Sequence, residues 1–235
     1  MADTRIQLNA LNNIRRRETL NKLIKQGVLI PCTDGVIVDD KAEIGADTII
    51  LPGTIIKSGV KIGTGCEIGP NTVLFETAVG NNCILNNVQA EYATVEDNVT
   101  IGPFVHLRPD AHIKSGVHCG NFVEVKNSVI GENTAVSHLT YVGDSDVGKN
   151  VNLGCGVVTV NFNGKTKNRT VIEDNAFIGC NTNLVAPVRV GKAAYTAAGS
   201  TITKDVPENA LAIAREKQIN KENWVSVNKP YREKK

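Results

Sequence analysis

Large rings are scarce in this chain: aromatic residues fill 4% of its 235 positions, and there is one tryptophan and one methionine. That excludes an interior built on stacked aromatics, so a chain that is 41% hydrophobic has to close around aliphatic side chains. Long apolar runs are missing too. None approaches the ~18 residues of a membrane-spanning helix, and the opening MADTRIQLNA lacks the apolar stretch of a secretory signal. A soluble, cytoplasmic chain without membrane insertion is expected. Nor does one sign of charge dominate: 26 basic against 24 acidic side chains leave +2, too small an excess to advertise nucleic-acid binding by the whole domain. The excess lies at the end, where Arg215 to Lys235 holds seven basic and three acidic side chains. A short basic tail in a chain so poor in aromatics offers no stacking platform for bases, and no nucleic-acid partner is expected. The six cysteines, Cys32, Cys66, Cys83, Cys119, Cys155 and Cys180, never fall in a C-x-x-C spacing, which removes the usual zinc or dithiol signature. At least four of the six are expected to be small buried residues in a reducing compartment.

What the chain has is a beat. Aliphatic residues recur at every sixth position: Ile44, Ile50, Ile56, Ile62, Ile68, Leu74; then Val95, Ile101, Leu107, Ile113, Cys119, Val125. After a one-residue slip the series resumes as Ile130, Val136, Val142, and after another as Val147, Leu153, Thr159. A last run is Ile172, Ile178, Leu184, Val190, Thr196, Ile202. Glycine often follows the aliphatic position, as in Ile62-Gly63 and Leu153-Gly154, which suits a backbone that turns tightly, sometimes with positive φ.

A period of six matches neither a helix at 3.6 nor an alternating strand. It matches a hexapeptide solenoid, in which each unit is a short strand plus a turn and three units complete one coil. The expected fold is all-β: a parallel β-helix, left-handed as hexapeptide repeats are known to be, with about nine coils over residues 40–206. Ahead of it, residues 1–39 form a helical arm and connection. Ile6, Leu8, Leu11, Ile14, Leu20, Leu23 and Ile24 fall at helical spacing, Gly27 is a natural stop, and Arg15-Arg16-Arg17 is a solvated face. Residues 207–235 form a basic C-terminal segment without the beat.

Eighteen residues return the chain to the same face one coil along, about 4.8 Å away. Arg108 and Lys126 are eighteen apart in an uninterrupted stretch, so two cations stack, and they repel unless an anion bridges them or a carboxylate lies beside them. A planar fork beside a point charge suits a phosphate. The neighbouring column holds His106, Glu124 and, after the slip, Tyr141, and His138 lies near the corner leading onto that face. A histidine within reach of a carboxylate has the makings of an oriented general base. His106, His112 and His118, six apart, point from three successive faces and cannot converge on one ion, which argues against a zinc hydratase of the hexapeptide class. The longest break in the beat, Val160 to Val171, is polar and brings Lys165, Lys167 and Arg169; an inserted loop of this kind projects outward, placed to reach a neighbouring subunit.

The stretches Ile101-Gly-Pro-Phe-Val-His-Leu-Arg-Pro109, Gly120-Asn-Phe-Val-Glu-Val-Lys126, Ser137-His-Leu-Thr-Tyr-Val-Gly-Asp144, Val151-Asn-Leu-Gly-Cys-Gly156 and Thr159-Val-Asn-Phe-Asn-Gly164 resemble the acetyltransferase half of the bacterial bifunctional GlmU family. Those proteins combine glucosamine-1-phosphate N-acetyltransferase with N-acetylglucosamine-1-phosphate uridylyltransferase. The resemblance runs from the helical arm through Asn183-Leu-Val-Ala-Pro-Val188 to Arg215 and Trp224; no glycine-rich nucleotidyltransferase motif precedes it, so uridylyl transfer is not expected. It implies that His138, with Glu124 beside it, deprotonates the amino group of glucosamine 1-phosphate, and that Arg108, Lys126, Tyr141, Asn152 and Lys167 hold the sugar phosphate. It implies acetyl-coenzyme A as co-substrate, contacted by Cys155, Asn161, Phe162, Cys180, Ala198 and Arg215, a homotrimer with sites between neighbouring prisms, and no metal in the reaction. Many relatives have tyrosine at Phe162, serine at Cys180 and alanine at Cys155. Acyl transfer by direct attack of the amine needs neither thiol as a nucleophile, and backbone N–H groups around Gly154 and Cys155 suit an oxyanion. A hexapeptide acetyltransferase for another amino sugar, or a non-catalytic trimeric β-helix, are the alternatives.

Overall fold

The computed structural model describes residues 4–228; residues 229–235, the end of the expected basic segment, lie outside them. The chain is a left-handed parallel β-helix of three faces. Ten strands, from Ile37–Val38 to Thr201–Ile202, make the first face; nine, from Glu43–Ile44 to Val188–Val190, the second; and ten, from Ile49–Ile50 to Leu211–Ala212, the third. Each strand pairs in parallel with the strand one coil away, as Ile37 does with Ile55 and Leu107 with Val125. The coils therefore begin before residue 40 and continue past 206, one coil more than the spacing suggests.

The interior is built by the beat. Ile50, Ile56, Ile68, Leu74, Ile101, Leu107, Ile113, Ile130, Leu153 and Ile172 are all fully buried, and burying each such side chain contributes roughly 1.5–3 kcal/mol. Between Leu74 and Val95 the sequence shows no six-residue period, yet Val79, Leu85 and Ala90 keep the inward position. Coils there are shortened, so that Leu74 lies opposite Ala90 and Val79 opposite Val95. A second inward file of smaller residues sits two positions earlier: Thr48, Thr54, Thr72, Thr134, Thr140, Thr182, with Val60, Cys66 and Cys83. Its hydroxyls tie coil to coil. Thr134 Oγ1 donates to the Gly148 carbonyl at 2.8 Å and accepts from the Val151 N–H at 3.0 Å, which satisfies a buried polar atom. Cys66, Cys83 and Cys119 are buried, but Cys32 and Cys180 are exposed and Cys155 is half-buried. Fewer cysteines are buried than expected because Cys32 precedes the first coil and Cys155 and Cys180 occupy a corner.

Corners explain the asparagines. Asn71, Asn82, Asn98, Asp110, Asn127, Asn133, Asp144, Asn150, Asn175 and Asn181 all take φ between 43° and 64°, the left-handed region that short amide and carboxylate side chains tolerate best. The glycine after the beat serves another purpose: a Cβ at Gly154 would lie 2.7 Å from the Cys180 nitrogen, so the next coil passes too close for a side chain.

The arm is helix α1, Arg5–Lys25, opened by a Thr4–Gln7 capping box and ended at Gln26, before Gly27 with φ 93°. Only Leu20 and Leu23 are buried, and they close the N-terminal end of the prism. Within the arginine run, Arg15 and Arg17 are exposed, whereas Arg16 is half-buried and donates to the Thr33 and Val36 carbonyls at 2.8 and 3.2 Å. A short helix α2, Trp224–Asn228, has no buried residue. Among the described residues no helix is long and apolar enough to cross a membrane.

Candidate active site

The corner between the third and first faces carries one candidate residue per coil. Successive N–H to carbonyl bonds, Leu139 to Asn121, Gly156 to His138, Asn181 to Cys155 and Gly199 to Cys180, at 2.7–3.3 Å, stack Asn121, His138, Cys155, Cys180 and Ala198 in a single file. Arg215 follows at the far end, its side chain running past Gly199. The residue just after each member of the file takes the left-handed turn, and its size changes at His138. Up to that coil it is Phe104, Phe122 and Leu139, each more than half exposed, the two rings stacked 5.3 Å apart; beyond it are Gly156, Asn181 and Gly199. The ridge ends where the histidine stands, and smaller turn residues follow beside the two thiols.

His138 is exposed, and its Nδ1 lies 2.7 Å from Asn121 Oδ1. With an amide oxygen as acceptor, Nδ1 carries the proton and Nε2 is left to accept one. Thr140 Oγ1 donates to the His138 carbonyl at 2.7 Å, holding the backbone from which the ring projects. Glu124, expected beside this imidazole, is bonded elsewhere: its Oε1 accepts from Arg108 Nη1 at 2.8 Å. That hydrogen bond is the main cause that raises the Arg108 pKa further.

Across the first face, Arg108 follows the strand Val105–Leu107 and Lys126 ends the next, Glu124–Lys126, and the registers align His106 with Glu124 and Glu124 with Tyr141. Carboxylates relieve the cation pair: Glu124 takes Arg108, and Asp144 lies 3.7 Å from Lys126 Nζ. Asp144 is buried and accepts hydrogen bonds from the side-chain amides of Asn127 and Asn161. Burial opposes its ionisation, and those two bonds with the Lys126 and Lys167 charges outweigh it and hold the carboxyl below the usual range. Asn161 Nδ2 also donates to the Tyr141 hydroxyl at 3.3 Å.

The inserted loop folds back on its own chain. Phe162 bridges Lys167 in an antiparallel turn, and Arg169 clamps both Asp146 oxygens and reaches the Asn127 and Ser145 carbonyls. Lys167 is thereby brought against Lys126, whose cation is the chief reason that the Lys167 ammonium ionises below the usual lysine range. Its first neighbour is therefore within its own prism, while residues 162–167 are all exposed.

Other candidates are dispersed. Asn152 is on the third face, in register with Ala135 and Phe177. Asn161 and Phe162 follow a first-face strand, at the opposite edge of that face from the Cys155–Cys180–Ala198 file. The Gly154 N–H is committed to the Ile178 carbonyl at 2.8 Å, which removes it as an oxyanion donor, while the Cys155 N–H has no acceptor among the described residues. His106, His112 and His118 lie on three different faces, and among the described residues no group of three metal-ligating side chains is assembled. The reading of spacing missed Asn121 and Asp144, and named Arg169 as a loop cation without its Asp146 partner. The first two sit at corners a coil's length from His138 and Asn127, a signal that column counting along the corners would have found.

Comparison with known proteins agrees with this architecture. The model of the bacterial transferase hexapeptide (six repeats) family matches residues 41–76 and 169–204. The solved Arabidopsis UDP-N-acetylglucosamine acyltransferase superposes with a TM-score of 0.57 at 19% identity, covering 77% of this chain and 70% of that one, a likeness of fold. The bifunctional protein GlmU of Caldanaerobacter subterraneus subsp. tengcongensis is 53% identical over 95% of this chain and 49% of its own length. That of a Geobacillus species is 50% identical over 94% and 48%. The chain spans about half the length of the curated relatives it matches, and over nearly all of its own length it is a homologue of the bifunctional GlmU proteins.

Proposed function

We propose that this chain transfers acetyl from acetyl-coenzyme A to the 2-amino group of glucosamine 1-phosphate. The observation that carries the reading is the site corner: a histidine with a free Nε2 stands where an apolar ridge gives way to small turn residues, beside a face bearing Arg108, Lys126 and Lys167. In this reading the phosphate lies among the three cations, with Tyr141 and Asn152 on the sugar, and the amine faces His138. The donor lies along Cys155, Cys180 and Ala198 with its phosphates toward Arg215. The amine nitrogen attacks the thioester carbonyl, His138 Nε2 accepts the amine proton, and the Cys155 N–H faces the developing oxyanion. As the carbon–sulfur bond breaks, the proton passes to the departing thiolate. Positioning two substrates on a rigid prism supplies much of the rate.

Asn161 and Phe162 can touch a donor lying along that file only from a neighbouring prism, since in their own chain they sit at the far edge of the first face. This supports a homotrimer with sites between subunits, as do the exposed Phe104, Phe122 and Leu139 beside that file. The six unpaired cysteines fit the cytoplasm, a reducing compartment. Release of free thiol from acetyl-coenzyme A on adding glucosamine 1-phosphate tests the activity. It should fall at least a hundredfold in His138→Ala, and acetylation of a different amino sugar in preference would redirect the reading. Native mass spectrometry should find three times 25.2 kDa.

A further inference from the structure

Cys155 and Cys180 hold equivalent places in adjacent coils. The register pairs Asn152 with Phe177 and Leu153 with Ile178, the Asn181 N–H bonds the Cys155 carbonyl at 2.7 Å, and the position of a Gly154 Cβ abuts the Cys180 backbone. In-register residues on neighbouring parallel strands are about 4.8 Å apart, within the ~4.4–6.8 Å between Cα atoms that a disulfide spans. Both thiols are open to reagents, Cys180 exposed and Cys155 half-buried, while Cys66, Cys83 and Cys119 are buried and Cys32 lies ahead of the first coil. Nothing in the proposed transfer uses either sulfur as a nucleophile.

We propose that Cys155 and Cys180 are a modification site: peroxide joins them in a reversible disulfide that fixes the two coils following His138 along its corner. One thiolate attacks the peroxide oxygen and becomes a sulfenic acid with release of water; the second sulfur displaces the sulfenic oxygen as another water. Two thiols and one peroxide thus yield one disulfide and two waters. The bond rests on the geometry of the two coils; its effect on turnover rests on the proposed function.

The test treats the full chain, in a Cys32→Ser background, with hydrogen peroxide. Tryptic peptides 150–165 and 170–189, which hold Cys155 and Cys180, should appear linked, lighter than their sum by two hydrogens, and separate again with dithiothreitol. Acetyl transfer should fall at least tenfold and return on reduction, and in Cys180→Ser whatever activity remains should not respond to dithiothreitol. Recovery of both thiols free, as sulfinic acids or linked between chains overturns the disulfide. Its formation with transfer unchanged overturns the regulatory effect. The peptide map does not depend on turnover, so a preparation without acetyl transfer overturns the proposed function alone.

Discussion

Asp144 does for the cation pair what Asn121 does for the imidazole: each fixes a head group without reaching the reacting atoms. Lys126 is largely buried beside Asp144, and exchanging that carboxylate for an amide leaves the ammonium without its counter-charge. Asp144→Asn should raise KM for the proposed acceptor, glucosamine 1-phosphate, about tenfold, or ~1.4 kcal/mol, close to the ~1.5–3 kcal/mol of a hydrogen bond to a charged group, with kcat little changed. A loss confined to kcat would assign Asp144 elsewhere. Three carboxyls also link the fold to acidity. In Asp146 the Arg169 contact, and in Glu96 the His112 and Ser115 bonds acting against burial, hold the group below the usual range, as with Asp144. The unfolded chain takes up these protons at higher pH than the fold does. Their stabilisation is therefore complete above pH ~5 and lost as pH falls through the depressed folded values. The melting temperature should drop between about pH 5 and pH 3, less steeply in Asp144→Asn, and a level profile there would refute the linkage.

At the scale of elements, the inserted loop depends on one clamp. Arg169→Ala removes a partly exposed ion pair with Asp146, worth under ~1 kcal/mol of global stability. It should nonetheless free the turn, speed tryptic cleavage after Lys165 and Lys167, and raise KM for the sugar phosphate severalfold; cleavage at the wild-type rate would mean the turn holds itself. Nothing in the spacing foretold this clamp, because Arg169 and Asp146 are joined only once a 25-residue coil closes, with Asn152 opposite Phe177. The six-residue beat, by contrast, was legible along most of the chain, since an inward aliphatic on each face leaves a strict period. It faded between Leu74 and Val95 where coils shorten, and the second buried file escaped notice because it is made mostly of threonine, a polar residue that does not look like core. Within the site, column counting aligned Arg108 with Lys126. It did not assign Glu124 to Arg108, because rotamers rather than register choose a carboxylate's partner.

At the scale of the molecule, each coil touches little beyond its neighbours, so stability is a chain of local terms with vulnerable ends. Leu23 is 3% exposed where α1 covers the first coil. Leu23→Ala should cost about 2–5 kcal/mol, and hydrogen exchange should locate the opening in the N-terminal coils while those around His138 stay protected. Protection lost evenly along the prism would indicate global cooperativity instead.

The uniform rise of the coils also makes the corner a ruler. Cys155, Cys180, Ala198 and Ala214 stand on consecutive rungs from His138, with Arg215 the next residue after the last, so the backbone span from His138 to that end is four steps of ~4.8 Å, roughly 19 Å. Splicing in one more rung between Cys180 and Ala198 would lengthen the measure without disturbing the chemistry at its origin, and would select for a donor correspondingly longer.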